Sequence, residues 1–339
     1  MNVNVSSSGS GTDSNAPPPT VAVVVPCYRE TENILDVLGR IGPEVARVVV
    51  VDDACPDGTG RSVRERCRDP RVEVVAHDAN QGVGGATLTG YRRALAAGAD
   101  IIVKMDGDGQ MDPALIPSLI RPLVEGRADY AKGNRFHHLD GLAAMPRPRL
   151  IGNLALSFAS KFSSGYWDLF DPTNGFTAIR AQVVRALPLD RISRSYFFES
   201  DMLFHLYVLR AAVVDVPMRA RYGSERSSLR ISRVIGEFAW KHCRNACLRI
   251  FYTYYLRDFS IASLELAGAF ILLAFGVGFG IWQWSASVAS GVPATAGTVL
   301  VAALPVILGF QLLLAFLQFD VDNVPRRPIH PDLPVFPGA

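Results

Sequence analysis

Cysteine is scarce in this chain and offers no pairing pattern: Cys27, Cys55, Cys67, Cys243 and Cys247 are odd in number and include no CxxC spacing. That excludes a disulfide framework and a cysteine zinc site, and it fits a reducing compartment. A surplus of one charge is also missing. With a formal net charge of +2, nothing in the balance points to a nucleic-acid partner, although basic residues gather between 219 and 257 and are expected to face a membrane surface. The histidines show no ligand spacing, and His137 and His138 read as loop surface. There is no internal repeat. Residues 1–19 carry neither a basic n-region nor an apolar run, so they are not a signal peptide and read as a disordered polar tail.

What is present is a regular alternation. VAVVVP (21–26) is a continuous β-branched run of the kind a strand buried on both faces requires, with Pro26 expected to end it. TENILDVLGRI follows with helical spacing, then RVVVVDD (47–53) as a second buried strand. The pattern continues with a helix near 59–68, strand 72–76, helix 83–97, strand 100–105 and helix 113–125. Strands alternating with helices predict an α/β fold with a mostly parallel sheet, right-handed crossovers and helices on both faces. Beyond 134 the pattern loosens into an Arg-, His- and Pro-rich loop. A helix near 150–163, a turn and strand at DPTNGFTAIRA, the helix YFFESDMLFHLYVLRAA and the strand VVDVPMRARYG complete a soluble unit over 20–230.

Ligands of such sheets bind where the strands' carboxyl ends converge. Three of those ends are polar: PCYRE (26–30), DDACPDG (52–58) and DGDGQ (106–110). Asp106 and Asp108, on alternate residues of an extended turn, are hard oxygen ligands able to reach one Mg²⁺ or Mn²⁺, and Gln110 adds a neutral oxygen. Such a cation would neutralise charge developing on a diphosphate leaving group. Asp112, just before Pro113, is explained as a helix N-cap. NQGVGGA lacks the third glycine of a dinucleotide fingerprint, so its glycines, Gly84 among them, are expected to let backbone approach the donor closely.

The last third differs in kind. Residues 231–257 mix aromatic and apolar residues with Arg233, Lys241, Arg244, Arg249 and Arg257, which suits an amphipathic segment at a membrane interface. Two runs within 258–320 each exceed the roughly 20 residues that span a bilayer core. They predict a transmembrane hairpin joined by the loop SASVASGVPA. Basic residues flank the outer ends (Arg249, Arg257, Arg326, Arg327), which places the head and the tail 321–339 on the cytoplasmic side. Glu265, just inside the first run, reads as a residue at the interface or one facing the partner helix.

The order strand-PCYRE, strand-DD, NQGVGGA, strand-DGDGQ resembles family 2 glycosyltransferases of the GT-A (Rossmann-like) fold, over about 21–235. Within them it is similar to the polyprenyl-phosphate glycosyltransferases, the dolichol-phosphate mannose synthase-like group. The resemblance implies inverting, metal-dependent transfer of one sugar from a UDP- or GDP-sugar to undecaprenyl or dolichyl phosphate. It assigns Pro26, Tyr28 and Glu30 to the nucleoside, Asp53 with Asp52 to the base or ribose, and Asp171 and Asn174 to the sugar pocket. It matches Asp106, Asp108 and Gln110 to the metal motif. An acceptor phosphate also needs positive charge to orient it, for which Arg135 and Arg149, flanking the loose loop, are candidates with Arg147 in reserve. Where the group has a serine one helical turn after a basic residue, this chain has Arg149 and Asn153. A later basic-serine signature is here SSL after Arg226. The individual arginines fit equally well as solvated surface residues. Glu199 and Asp201 lie where the family places a catalytic acidic pair, and they also fit an acidic first helical turn.

A processive polysaccharide synthase is the runner-up within the fold, but no QxxRW element follows the acidic pair. From other classes, intact Asp106, Asp108 and Gln110 argue against a merely membrane-anchored binding protein, and the broken glycine spacing argues against a nicotinamide enzyme. The oligomeric state is left open, a homo-oligomer included.

Overall fold

The structure, a computed structural model, describes residues 17–136, 147–218 and 231–334, and for 147–151, 153 and 231–235 only the backbone. Arg226, His137 and His138 therefore lie outside the described residues.

Among the described residues seven strands form one mixed sheet in the order β3-β2-β1-β4-β6-β5-β7. β1 (Val21–Cys27), β2 (Arg47–Asp52), β3 (Val72–Ala76) and β4 (Ile101–Lys104) run parallel. β6 (Thr177–Arg180) runs against both β4 and β5 (Tyr130–Asn134), and β7 (Val213–Pro217) is parallel to β5. The carboxyl ends of β1, β2, β4, β5 and β7 therefore share one edge with the amino end of β6. That reversal carries DPTNGF, just before β6, to the edge where DGDGQ leaves β4.

β1 runs through Pro26 to Cys27 instead of stopping at the proline. Val24 O accepts from Met105 N on the β4 side, where the ladder ends, and Pro26, two residues on, faces that same vacated side. The absent proline N–H costs nothing there.

Alternation sorts each strand between two cores. Ala22, Val24, Val49, Val51 and Ile102 pack under α3 (Gly82–Ala96) and α7 (Phe198–Leu209), with Tyr91, Leu203 and Leu206. Val23, Val25, Val48, Val50, Ile101 and Val103 pack under α1 (Ile34–Gly39) and α4 (Ile116–Val124), with α2 (Thr59–Arg66) contributing Val63. Helices thus cover both faces. α5 (Arg147–Ser164) carries the expected Arg147, Arg149 and Asn153 by its backbone, and α6 (Ala181–Ala186) follows β6. Asp112 caps the 3₁₀ turn Pro113–Leu115 through Ala114 N, 3.2 Å away.

α8 (Ile231–Phe251) runs through a π turn (Tyr252–Arg257) toward α9 (Ile261–Ser290), which forms a hairpin with α10 (Ala296–Asp322). Both hairpin helices are long and apolar enough to cross a membrane. They pack through glycine: a Cβ on Gly276 would lie 2.7 Å from Val306, and one on Gly309 would lie 2.9 Å from Leu273. The serine-rich stretch after Trp284 is helical to Ser290, where a loop was expected. Its hydroxyls bond back to carbonyls one turn earlier (Ser285 to Ile281, Ser290 to Ala286), and Gly291 at φ 65° closes the helix.

One expectation about charge placement changes. Arg249 does not face a membrane surface; it is fully buried in an ion pair with Asp320. The segment after α10 returns to the sheet-bearing unit. Val324 enters the sheet's core, and Ile329 and His330 donate their backbone N–H groups to Asp129.

Candidate functional site

Lys104, the last residue of β4, is buried at 1% exposure beneath the DGDGQ turn. Its ammonium lies 2.9 Å from Asp106 Oδ1 and 3.0 Å from Glu199 Oε1. Burial alone would lower the lysine's pKa, but the two acids outweigh it and hold the group protonated, well above the ordinary range. Asp106 Oδ1 is buried without a well-aligned hydrogen bond, and Asp108 Oδ1 accepts from Gln110 N at 2.9 Å. Among the described residues no group of three or more His, Cys, Asp or Glu converges on a metal position. Among the described residues, the turn brings two hard carboxylates, Asp106 and Asp108, on alternate residues. That set fits Mg²⁺ or Mn²⁺ bound jointly with phosphate oxygens rather than in an all-protein cage.

Gly175 closes this floor. A Cβ there would sit 2.4 Å from Lys104 Nζ and 2.8 Å from Asp106 Oδ2. On the opposite wall, Gly107 of the turn approaches Cys27, Ile34 and Glu30 at the end of β1. Tyr28 is exposed, and Arg29 and Ala54, in the loops after β1 and β2, hold left-handed backbone at φ 65° and 54°. Such a conformation costs a non-glycine residue roughly 1–2 kcal/mol. Cys55 fastens the two loops together, its Sγ accepting from Arg29 N and meeting the Thr59 hydroxyl, each at 3.1 Å.

Several expected contacts are occupied by the protein's own backbone. Asp52 caps α2, accepting from Cys55 N and Gly60 N at 2.8 Å each. Asp53 accepts from Gln81 N and Gly82 N, also at 2.8 Å, and pairs with His77 at 2.7 Å. These carboxylates cap helix N-termini. The glycines of NQGVGGA face the chain as well: a Cβ on Gly84 would lie 2.5 Å from Ser193 O, and Gly85 N donates to Arg194 O. Pro26 lies buried within β1.

Asn174 is buried, donating to Gly133 O at 2.7 Å and accepting from Phe176 N at 3.0 Å. Lys132 of β5 donates to its carbonyl. Burial pushes the Lys132 pKa down to about 8. Asp171, fully buried, grips Arg135 bidentately at 2.7 and 3.0 Å. Asp215, facing Lys132 across β5 and β7, is pushed up to about 6 by its own burial, and its Oδ1 has no hydrogen-bond partner among the described residues.

The acidic pair divides. Glu199 joins Lys104 at the floor. Asp201 is buried and spends both oxygens on structure, accepting from Ser193 N and from Asn245 Nδ2 of α8, each at 2.7 Å.

Lys104, Lys132, Gly175 and Asp215 were not singled out from the sequence. One signal was available for Lys104: it stands two residues after Ile102 in a strand of otherwise buried residues, immediately before DGDGQ.

The model for "Glycosyl transferase family 2" matches residues 22–187, which spans β1 through α6 and includes the DGDGQ turn. The chain is 36% identical over 202 residues to an undecaprenyl-phosphate mannosyltransferase of Micrococcus luteus, covering 58% of this chain and 82% of that protein. It is 28% identical over 216 residues to a UDP-N-acetylglucosamine--dolichyl-phosphate N-acetylglucosaminyltransferase of Methanococcus voltae, covering 60% and 86%. Among solved structures, mannosyl-3-phosphoglycerate synthase from Rubrobacter xylanophilus superposes with a TM-score of 0.51 at 19% identity, covering 71% of this chain and 77% of that one, which speaks to fold alone. With a relative above 30% identity matched over most of its length, and the polar strand ends inside the matched region, this chain belongs to glycosyl transferase family 2 and is a glycosyltransferase.

Proposed function

We propose that the chain transfers a single sugar from a nucleotide sugar to a polyprenyl phosphate at the cytoplasmic membrane face, with inversion at the anomeric carbon. The observation that carries the reading is the floor of the site: two metal-type carboxylates on one turn, beside a buried Lys104 that joins Asp106 to Glu199. The acceptor class is supported by the two relatives above, whose names share a polyprenyl-type lipid phosphate while differing in the sugar. The hairpin of two apolar helices supplies the membrane attachment that such an acceptor demands. Exposed Arg326 and Arg327 beyond α10, with no basic residue between the two spans, favour a cytoplasmic head.

In this reaction an acceptor phosphate oxygen bonds to the anomeric carbon while the bond to the nucleoside diphosphate breaks, and the electron pair leaves with the diphosphate. Asp106 and Asp108, with Gln110 beside them, would hold Mg²⁺ or Mn²⁺, which neutralises charge on the leaving diphosphate. A phosphate monoester, with its second pKa near 6, is already largely dianionic at neutral pH, so no strong base is needed. Glu199, held by Lys104, faces the sugar and orients it. Tyr28 and Glu30 at the end of β1 line the nucleoside side. Arg135, fixed by Asp171, and Arg147 and Arg149 of α5 supply positive charge to the acceptor, with Asn153 one turn further on.

The test is an assay of membranes containing the protein with a panel of UDP- and GDP-sugars, scoring transfer to undecaprenyl phosphate. Transfer from one donor is expected, and its loss in both Asp106→Ala and Asp108→Ala. Absence of transfer from every donor would overturn the reading, and full activity in both variants would overturn the metal assignment.

A further inference from the structure

One carboxylate at the end of the hairpin gathers side chains from three other segments. Asp320, in the last turns of α10, is fully buried and takes Arg249 Nη1 and Nη2 from α8 at 2.6 and 2.9 Å. Tyr254 from the π turn donates its hydroxyl at 2.6 Å, and Trp167, from the loop after α5, donates its indole N–H at 2.9 Å. Arg249 also donates to Phe162 O in α5, 3.0 Å away. Nothing in the chemistry of the site uses these groups.

Beside the hub, Ser163 of α5 meets His242 of α8 at 2.8 Å. The exit of α10 is fastened separately. Arg210 at the end of α7 donates to the carbonyl and side-chain oxygen of Asn323 at 2.8 and 3.0 Å. Further on, Asp129 accepts from Ile329 N, His330 N and His330 Nδ1.

A buried ion pair is weak grounds for stability, because desolvation offsets most of its attraction. What such a pair specifies is geometry. Asp320 can satisfy its donors only when α5, α8, the π turn and α10 stand in one arrangement, and a slip of α10 by one residue would break all four contacts.

We propose that Asp320 and Arg249 are positioning residues that lock the sheet-bearing head onto the hairpin and so fix α5, the helix carrying Arg147 and Arg149, at one height above the bilayer. The consequence for an acceptor in that bilayer rests on the function proposed above; the lock itself does not. With it intact, a phosphate at the membrane surface meets the site without a search over head orientations, which is the entropic advantage of a preset approach.

The experiment has two arms, each on the full chain in membranes. In the first, spin labels replace the exposed Arg61 on α2 and Ser285 on α9, in a background without the native cysteines, and the distance distribution between them is measured. A narrow distribution is expected, broadened by Asp320→Asn and by Arg249→Met. An unchanged distribution in both variants would overturn the lock, whatever reaction the protein performs.

In the second, transfer to undecaprenyl phosphate in the bilayer is compared with transfer to a short-chain, water-soluble prenyl phosphate. Asp320→Asn is expected to raise KM for the bilayer acceptor about tenfold or more, with the donor KM and the rate on the soluble acceptor unchanged. Combining it with Arg249→Met should cost no more than either change alone, as expected of groups acting as a unit. Equal losses on both acceptors would show a merely structural role and overturn the positioning claim. If the unsubstituted protein transfers to neither acceptor, the proposed function fails, and the first arm still decides the lock.

Discussion

Lys104 Nζ lies 3.0 Å from Glu199 Oε1, joining the end of β4 to the first turn of α7 across 95 residues of sequence. The same ammonium touches Asp106. One buried cation thus connects the turn proposed to hold the metal with the acid proposed to face the sugar, and compensates two negative charges that would otherwise repel.

Lys104→Met removes that compensation at nearly constant volume. Transfer is expected to fall on the order of 10²-fold, the scale of losing one preorganised electrostatic contact. Lys104→Arg should not rescue it, because Gly175 leaves no room for a guanidinium. Single-turnover rates at saturating donor check this, and near-normal rates in Lys104→Met would remove the residue from the site.

Gly175→Ala places a methyl group 2.4 Å from Lys104 Nζ and 2.8 Å from Asp106 Oδ2. Both partners are held by their ion pair, so the expected outcome is loss of transfer and weaker Mn²⁺ binding by calorimetry, with the thermal transition little changed. Unaltered Mn²⁺ affinity would show that Asp106 is free to move aside.

Asp53→Ala frees the first N–H groups of α3 and the partner of His77. Loss of a helix cap costs about 1–2 kcal/mol, which a thermal or denaturant transition would register. Donor affinity, measured well below the transition, should be unchanged. A selective loss of donor binding would return Asp53 to the role that its place at a strand end suggests.

Asp215 gives a stability signature in pH. Its folded pKa is raised to about 6 by burial, with Asn134 and Phe170 N donating to one oxygen and Lys132, Asp171 and Asp168 nearby. Because the folded state keeps a proton that the unfolded chain releases near pH 4, stability falls as pH rises from about 4 to about 6. Asp215→Asn should abolish that slope and be the more stable protein at pH 7, by on the order of 2 kcal/mol. Parallel stability curves for the two proteins would refute the assignment.

Legibility from sequence differed by element. The β1 and β2 strands were readable because they are buried on both faces and so contain almost nothing but β-branched residues. β5 was not. Its sequence, YAKGN, holds a lysine, a glycine and an asparagine, and it is a strand because Lys132 finds the Asn174 carbonyl, Asn134 bonds Asp215, and a side chain on Gly133 would strike Met218. Asp112 could be assigned from its neighbour Pro113, since an N-cap is a contact within a few residues. Asp52 and Asp53 could not, since a carboxylate at a strand end looks the same whether it awaits a ligand or caps the next helix.

The sequence by itself determined the alternation of strands and helices, the acidic turn after β4 and the two apolar spans, because each follows from a local period or a local composition. Only the tertiary structure decided which charges are buried. Lys104, Arg249 and Asp320 sit in the interior because partners distant in the chain repay their desolvation, and sequence spacing holds no record of a partner that the fold alone brings within 3 Å.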